Sequence, residues 1–224
     1  MKEYISAFLK KEFLSSLSAK ELKALSQLFR VQNSLTYHMV KLTESHKGKK
    51  TLLSVFQQVE ETFILASMIR EAMKELFGAG KCLGILENRV TSSSIVSALR
   101  AKETYYSGYK SEINLKFLGM IRNEFSFHLK KSIYDGNITD GDAKDDMHIL
   151  VSFDETNGSI VYVPPVNAAL FQVEKFVKEH GISESPEAYL FDCVHGETIE
   201  LFQFVNSFVA DVIKGNVYKK KENH

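Results

Sequence analysis

Cysteine is scarce in this chain, which has two, Cys82 and Cys193, among 224 residues. The two lie far apart and fit no metal-ligand spacing, so the sequence predicts neither a disulfide framework nor a metal site built on cysteine. Cys193 and His195 could begin such a site, but no second pair of ligands stands at a matching spacing. Two buried thiols, with His195 on the surface, are the better interpretation, and they suit a reducing cytoplasm.

Long apolar segments are also missing. No stretch approaches about eighteen uninterrupted apolar residues, so the sequence predicts no membrane span. Lys10, Lys11 and Glu12 interrupt the apolar run near the N-terminus, so we expect no secretory signal. No glycine-rich phosphate loop and no Gly-x-Ser-x-Gly sequence occurs. Because no cluster of metal ligands is visible either, we expect no metal and no cofactor.

Net charge is the third missing feature, because 28 lysines and arginines balance 28 aspartates and glutamates. The balance hides an asymmetry along the chain. Residues 1–131 carry 21 basic and 12 acidic side chains, whereas residues 132–200 carry 3 and 14. A neutral protein of this kind can still present a basic face to an anion such as RNA, although an ordinary solvated surface with uneven counts explains the same numbers.

Helical periodicity dominates what the sequence does contain. Ser18 and Glu21 form a capping box, which predicts the start of a long amphipathic helix that runs to about residue 44. A second long helix is predicted over residues 51–77, where glycines at 78 and 80 end it. Because the connection between them is short, the two helices are expected to pack antiparallel.

Shorter elements complete the predicted fold. Further helices are expected over residues 3–14, 92–102, 109–130 and 167–180, and from 185 to 214, where His195-Gly196 is a candidate break. Alternating apolar residues around Asn157-Gly158 predict a two-stranded hairpin at about residues 148–163. The fold class is therefore mainly α, an up-and-down bundle of long antiparallel helices plus the hairpin. We expect one domain over residues 1–216 and a disordered basic tail at 217–224.

The stretch most informative about chemistry is residues 121–128, Ile-Arg-Asn-Glu-Phe-Ser-Phe-His. It places an arginine, an amide and an imidazole at the end of a strongly apolar helix. A guanidinium offers a fixed fork of donors to a phosphodiester, and an imidazole titrates near neutrality. Arg122, Asn123 and His128 are therefore candidate catalytic residues that need no metal. Lys130 and Lys131 follow them and are candidate RNA-binding residues.

An ordinary helix surface explains the same residues in another way. Arg122 would then cover apolar neighbours, and His128 would cap the C-terminal end of the helix. Six residues advance an α-helix by about 600°, so Arg122 and His128 lie about 120° apart around its axis. They converge only if the helix frays near Phe127 or if a second copy of the chain completes the site.

The motif of Arg122, Asn123 and His128 resembles that of the HEPN superfamily, in which an arginine is followed directly by a polar residue and, after four to six residues in all, by a histidine. Here five residues separate Arg122 from His128, Asn123 fills the polar slot, and Phe127 precedes the histidine. The resemblance extends to the order of elements, because bacterial members often have two long helices before the motif and a hairpin with further helices after it.

This resemblance implies a metal-independent endoribonuclease, a toxin or defence component that cleaves RNA by attack of the 2′-hydroxyl. His128 would move the proton, Arg122 would stabilise charge on the phosphate, and Asn123 would orient the helix end or the phosphate. The resemblance also implies a homodimer whose motifs face each other across a twofold axis, and a possible antitoxin partner.

One position departs from the pattern of the superfamily. Some of its toxins carry a tyrosine two residues after the histidine, which a partner nucleotidyltransferase modifies, and here that position is Lys130. The superfamily also includes members that have lost cleavage. The alternative function is therefore a non-catalytic helical dimeric module that binds nucleotide, nucleic acid or a protein, and the neutral charge of the chain favours it.

Overall fold

The computed structural model describes residues 7–47, 52–78, 80–108, 111–123, 150–152, 159–161 and 164–219. In these ranges the elements are, in chain order, β1 (Ala7–Leu9), α1 (Lys11–Ser16), α2 (Ala19–Lys47), α3 (Leu52–Leu76), α4 (Cys82–Leu86), a 3-10 turn (Glu87–Arg89), α5 (Ser93–Ser107), α6 (Ile113–Ile121), β2 (Leu150–Ser152), β3 (Ser159–Val161), α7 (Pro164–Glu179), α8 (Pro186–Val212) and β4 (Val217–Lys219). The prediction of a mainly α protein with long helices and a two-stranded hairpin is confirmed.

The hairpin lies where the alternating pattern predicted it. Strands β2 and β3 pair antiparallel, with Leu150 opposite Val161 and Ser152 opposite Ser159. Both strands fall inside the predicted range of residues 148–163, and the predicted turn at residues 157 and 158 lies outside the described residues. Prolines follow β3 and open α7, because a proline in the first turn of a helix gives up only a backbone donor that has no helical partner.

The capping box at the start of α2 is confirmed by its reciprocal bonds. The backbone N–H of Ser18 donates to Oε2 of Glu21 over 2.8 Å, and the backbone N–H of Glu21 donates to Oγ of Ser18 over 3.2 Å. The same carboxylate accepts the Nε–H of Arg89 over 2.6 Å. The Glu21 carboxylate of the capping box therefore also holds the 3-10 turn that follows α4.

The two ends of the described chain correct two predictions. Residues 7–9, predicted to be helical, form β1, and residues 217–219, predicted to be a disordered tail, form β4. The two strands pair antiparallel, with Phe8 opposite Tyr218. The pairing satisfies backbone N–H and C=O groups of each strand with partners more than 200 positions away in the sequence.

Helix α8 corrects a third prediction, since it runs through His195 and Gly196 without a break. A glycine inside a helix costs about 1 kcal/mol relative to alanine. Val194 and Thr198 on either side of it are fully buried. Their packing outweighs the local preference of glycine.

The described chain divides into two compact units whose boundaries fall inside α2, α3 and α8. Unit 1 comprises Met1–Thr36, Glu71–Tyr109 and Ile199–His224. Unit 2 comprises Tyr37–Arg70 and Lys110–Thr198. The expectation of one domain over residues 1–216 stays a prediction.

Each unit has its own apolar core. In unit 1, Phe77 packs against Tyr106 and Phe204, with ring centroids 4.6 and 5.9 Å away. In unit 2, Phe117 packs against Phe176 and Tyr189 at 5.1 and 4.9 Å. Fully buried side chains surround these rings: Leu25, Leu28, Leu76, Leu83, Leu86, Leu99 and Phe208 in unit 1, and Leu65, Ile69, Leu115, Leu118, Ile121, Val173, Leu190 and Val194 in unit 2.

Among the helices of the described ranges, none combines the length and the apolar character needed to cross a membrane.

The Glu21–Arg89 pair predicts how stability depends on pH. Hydrogen bonds from Arg89, and then from Ser18, lower the pKa of Glu21 from 4.5 to about 2. Because the pKa in the folded state is the lower one, the stabilisation is present above about pH 4.5 and is lost as the pH falls towards about 2. Urea unfolding of the parent and of Glu21→Gln should therefore differ at about pH 6, and the difference should shrink towards about pH 2.

Glu60→Gln is the matched control for this measurement. Glu60 is an exposed helical carboxylate that makes no hydrogen bond or ion pair with the described residues. Its unfolding midpoints should follow those of the parent at every pH. A constant offset between Glu21→Gln and the parent over the whole range would contradict the assignment.

Candidate functional site

Helix α6 carries the two motif residues that lie in the described part of the chain. Leu115, Phe117, Leu118 and Ile121 are fully buried, and their spacing gives the helix one continuous apolar side. The contacts of Phe117 with rings of α7 and α8 hold that side in unit 2. The end of α6 is thereby placed by packing, and the next two residues are Arg122 and Asn123.

The backbone changes character at these two residues. The N–H of Arg122 donates to the carbonyls of Leu118 and Gly119. Residues 122 and 123 continue the helix as a π-type turn. Such turns are rare in proteins and frequently lie at functional sites.

The side chains of Arg122 and Asn123 are bonded to each other. Nη1 of Arg122 donates to Oδ1 of Asn123 over 3.0 Å. Arg122 is half-buried and Asn123 is exposed. The bond turns the Asn123 amide so that its oxygen faces the guanidinium, and an arginine fork beside an amide NH₂ is a combination of donors that holds a phosphate.

The other predicted site residues, His128, Lys130 and Lys131, lie outside the described residues. The structure thus brings Arg122 and Asn123 together and leaves their distance from His128 a prediction. The offset of about 120° assumes an unbroken α-helix through residue 128, and the structure describes this segment only as far as residue 123.

A polar contact that the sequence analysis missed anchors the start of α6. The hydroxyl of Tyr189 donates to Oδ1 of Asn114 over 3.1 Å, and Nδ2 of Asn114 donates to Oε1 of Glu197 over a long 3.5 Å. Tyr189 and Glu197 are buried on α8. The signal was present in the sequence, because Asn114 and Glu197 are polar residues at the helical spacing of buried neighbours, Leu118 and Leu201.

Both cysteines are buried thiols, as predicted, and His195 is exposed. Burial, and then the nearby Glu197 charge, raise the pKa of Cys193 to about 12. Burial also raises the pKa of Cys82, whose thiol donates to Oε1 of Gln27 over 3.2 Å. Because the thiolate is the reactive form, neither cysteine is placed to act as a nucleophile.

Unit 2 also contains a cavity of ≈ 340 Å³ between α2, α3 and α8. This is at the lower end of the size of small-molecule sites, about 300 to 1,000 Å³. Its polar lining includes Asp192 and His195, one turn apart on α8, and the hydroxyls of Thr43 and Thr62, which donate to backbone carbonyls of their own helices. No residue of α6 lines it. In the ranges that the structure describes, no three histidine, cysteine or carboxylate side chains are grouped as metal ligands.

The buried thiols predict slow chemical modification. At about pH 8, close to the ordinary pKa of a cysteine, the folded protein should react with Ellman's reagent far more slowly than after unfolding in guanidinium, when both thiols should react. Ser97→Cys, at an exposed position of α5, is the positive control and should react at once. Fast modification of the folded parent would show that one thiol is accessible.

Comparison of the chain with models of protein families, with curated proteins and with solved structures finds no match. The resemblance to the HEPN superfamily therefore rests on the motif itself and on the order of the elements around it. Two long helices precede Arg122, and a hairpin with two further helices follows it.

Proposed function

We propose that this protein is a cytoplasmic, metal-independent endoribonuclease of the HEPN type, a toxin or defence component. The observation that carries the proposal is the bonded pair of Arg122 and Asn123 in a π-type turn at the end of a buried helix. Arginine, amide and a following histidine are the groups that phosphodiester cleavage needs when no metal takes part.

The proposed reaction is transesterification within RNA. The 2′-oxygen attacks the adjacent phosphorus, and the bond from phosphorus to the 5′-oxygen of the next nucleotide breaks. His128 takes the 2′-hydroxyl proton or protonates the leaving oxygen, and Arg122 stabilises the charge that builds on the phosphate. Asn123 orients the guanidinium through the bond between the two side chains. The products are a 2′,3′-cyclic phosphate and a 5′-hydroxyl.

The second candidate function is a non-catalytic helical dimer that binds nucleotide, nucleic acid or a protein partner. The zero net charge of the chain favours it, because nucleases that hold long RNA usually carry an excess of basic residues. The two candidates differ in whether the motif changes RNA covalently, so a cleavage assay separates them.

Substitutions in the motif should reduce cleavage without unfolding the protein. Arg122→Ala and His128→Ala should each lower the rate by about a hundredfold or more, since charge stabilisation and proton transfer are each worth that much. Arg122→Ala should change the free energy of unfolding by about 1 kcal/mol or less. Asn123→Ala should cost less activity than Arg122→Ala, because the guanidinium remains. Cleavage rate and melting temperature are measured for each variant.

Two variants of α6 serve as controls. Lys116→Ala removes an exposed cation on the same helix and should leave cleavage unchanged. Phe117→Ala empties a fully buried position and should cost about 3 to 5 kcal/mol, lowering activity only through unfolding. EDTA should not stop cleavage by the parent. If Arg122→Ala and His128→Ala melt like the parent and cut RNA at its rate, the motif is not the catalytic site.

A mixing experiment tests the proposed homodimer. If Arg122 of one subunit and His128 of its partner form one site, a dimer of one Arg122→Ala and one His128→Ala subunit holds one intact site. Random exchange of the two inactive variants should then restore about a quarter of the parent rate. Light scattering on the same samples reports the oligomeric state. A dimer that stays inactive on mixing would place both residues of a site in one chain.

A further inference from the structure

Strands β1 and β4 form a two-stranded ribbon, here named the terminal ribbon (Ala7–Leu9 and Val217–Lys219), that displays two aromatic rings. Phe8 and Tyr218 are directly opposite each other in the register, so both side chains project from the same face. Their ring centroids are 5.9 Å apart with an angle of 34° between the planes. Phe8 and Tyr218 are each 45% exposed to solvent. Paired aromatics on strands ordinarily stabilise a sheet by covering one another and the core, and this pair leaves much of its surface to solvent.

Hydrogen bonds between the residues that flank the two strands hold the terminal ribbon in place. The backbone N–H of Lys10 donates to the carbonyl of Asn216 over 2.8 Å, and its Nζ donates to the carbonyl of Gly215 over 2.7 Å. Gly215 has a φ of +73°, the left-handed conformation that turns the chain from α8 into β4. A ligand that meets Phe8 and Tyr218 therefore loses little free energy in ordering them, because the rings already stand on a fixed support.

The surroundings of the terminal ribbon are cationic. Lys10, Lys11 and Lys214 flank it and are exposed. Glu12, next to Lys11 in the sequence, is exposed, whereas Asp211 is buried and accepts the backbone N–H groups of residues 91 and 92. Unit 1 as a whole has 15 lysines and arginines against 10 aspartates and glutamates, although the chain is neutral.

We propose that the terminal ribbon binds single-stranded nucleic acid, with bases stacked on Phe8 and Tyr218 and phosphates at the flanking lysines. Exposed aromatics beside lysines are the two components of such sites, and every base has a flat face that stacks. A duplex keeps its bases stacked inside and offers phosphates alone. An acidic peptide would match the lysines and leave both rings without a flat partner. All the groups involved belong to unit 1 and none is a residue of the cleavage motif, so this proposal does not rest on the proposed cleavage by Arg122.

The test uses labelled oligothymidylate of about twelve nucleotides, within the span of known single-strand sites. Its lack of a 2′-hydroxyl prevents the proposed cleavage from consuming the probe, so failure of one proposal is distinguishable from failure of the other. Fluorescence anisotropy should show binding to the parent that weakens with salt, by about 0.7 in the logarithmic slope for each phosphate contact. The double variant Phe8→Ala/Tyr218→Ala should weaken binding by about tenfold or more. Lys11→Gln/Lys214→Gln should lower both the affinity and the salt slope.

Tyr37→Ala is the matched control, because Tyr37 is 56% exposed but lies on α2 in unit 2, and its removal should leave the affinity unchanged. The chain has no tryptophan. Phe8→Trp therefore introduces a single tryptophan whose emission should be quenched as bases stack on it, which keeps the test decisive even if the alanine variant fails to fold. Unquenched emission at saturating probe, equal binding by the folded alanine variant, or no binding at low salt would each overturn the proposal. Tighter binding of an acidic peptide than of oligothymidylate would overturn it in favour of a peptide site.

Discussion

Burial of Phe117 against Phe176 and Tyr189 is the contact on which the candidate site depends. Helix α6 has nine residues, and a helix of that length is marginal in isolation. Packing in the core of unit 2 therefore stabilises the helix. The same packing fixes the direction of its last turn. Arg122 and Asn123 follow the last buried residue of α6 directly, so their placement inherits the rigidity of that packing, and the Asn114 contacts at the other end of the helix oppose its rotation.

The elements that the sequence predicts well are those whose signals are local. The bonds between Ser18 and Glu21 need only four consecutive residues, and the start of α2 follows from them. The hairpin of β2 and β3 similarly follows from alternation on either side of one turn. By contrast, β1 forms only because β4 is available to pair with it, and no window of sequence contains both. Gly196 stays helical for a related reason, since the packing of Val194 and Thr198 is a property of the fold rather than of the glycine.

The candidate site also combines features that local sequence predicts with features that only tertiary contacts determine. Residue types and spacing identify Arg122 and Asn123 as groups suited to a phosphate, because a guanidinium and an amide keep their chemistry in any fold. The hydrogen bond between the two side chains and the π-type turn of their backbone cannot be predicted from residue spacing. Asn114 and Glu197 were missed because a single polar residue on an apolar helix face does not identify the residue to which it is hydrogen-bonded. The acidic excess of residues 132–200 is visible in the sequence, but the basic excess of unit 1 emerges only when the fold brings the three segments of that unit together.

The pairing of β1 with β4 also determines when the terminal ribbon can form during synthesis and folding. Lys10 and Gly215 are 205 positions apart, so a segment of that length must be synthesised after β1 before its partner strand exists. Contacts between residues so distant in sequence form late in folding, because the loop that joins them must close first. During translation the aromatic of β1 is therefore presented without the strand that supports it. The paired surface of Phe8 and Tyr218 marks a chain whose α8 has already been made and has turned at Gly215, so the ribbon distinguishes chains that have folded as far as β4 from shorter nascent ones.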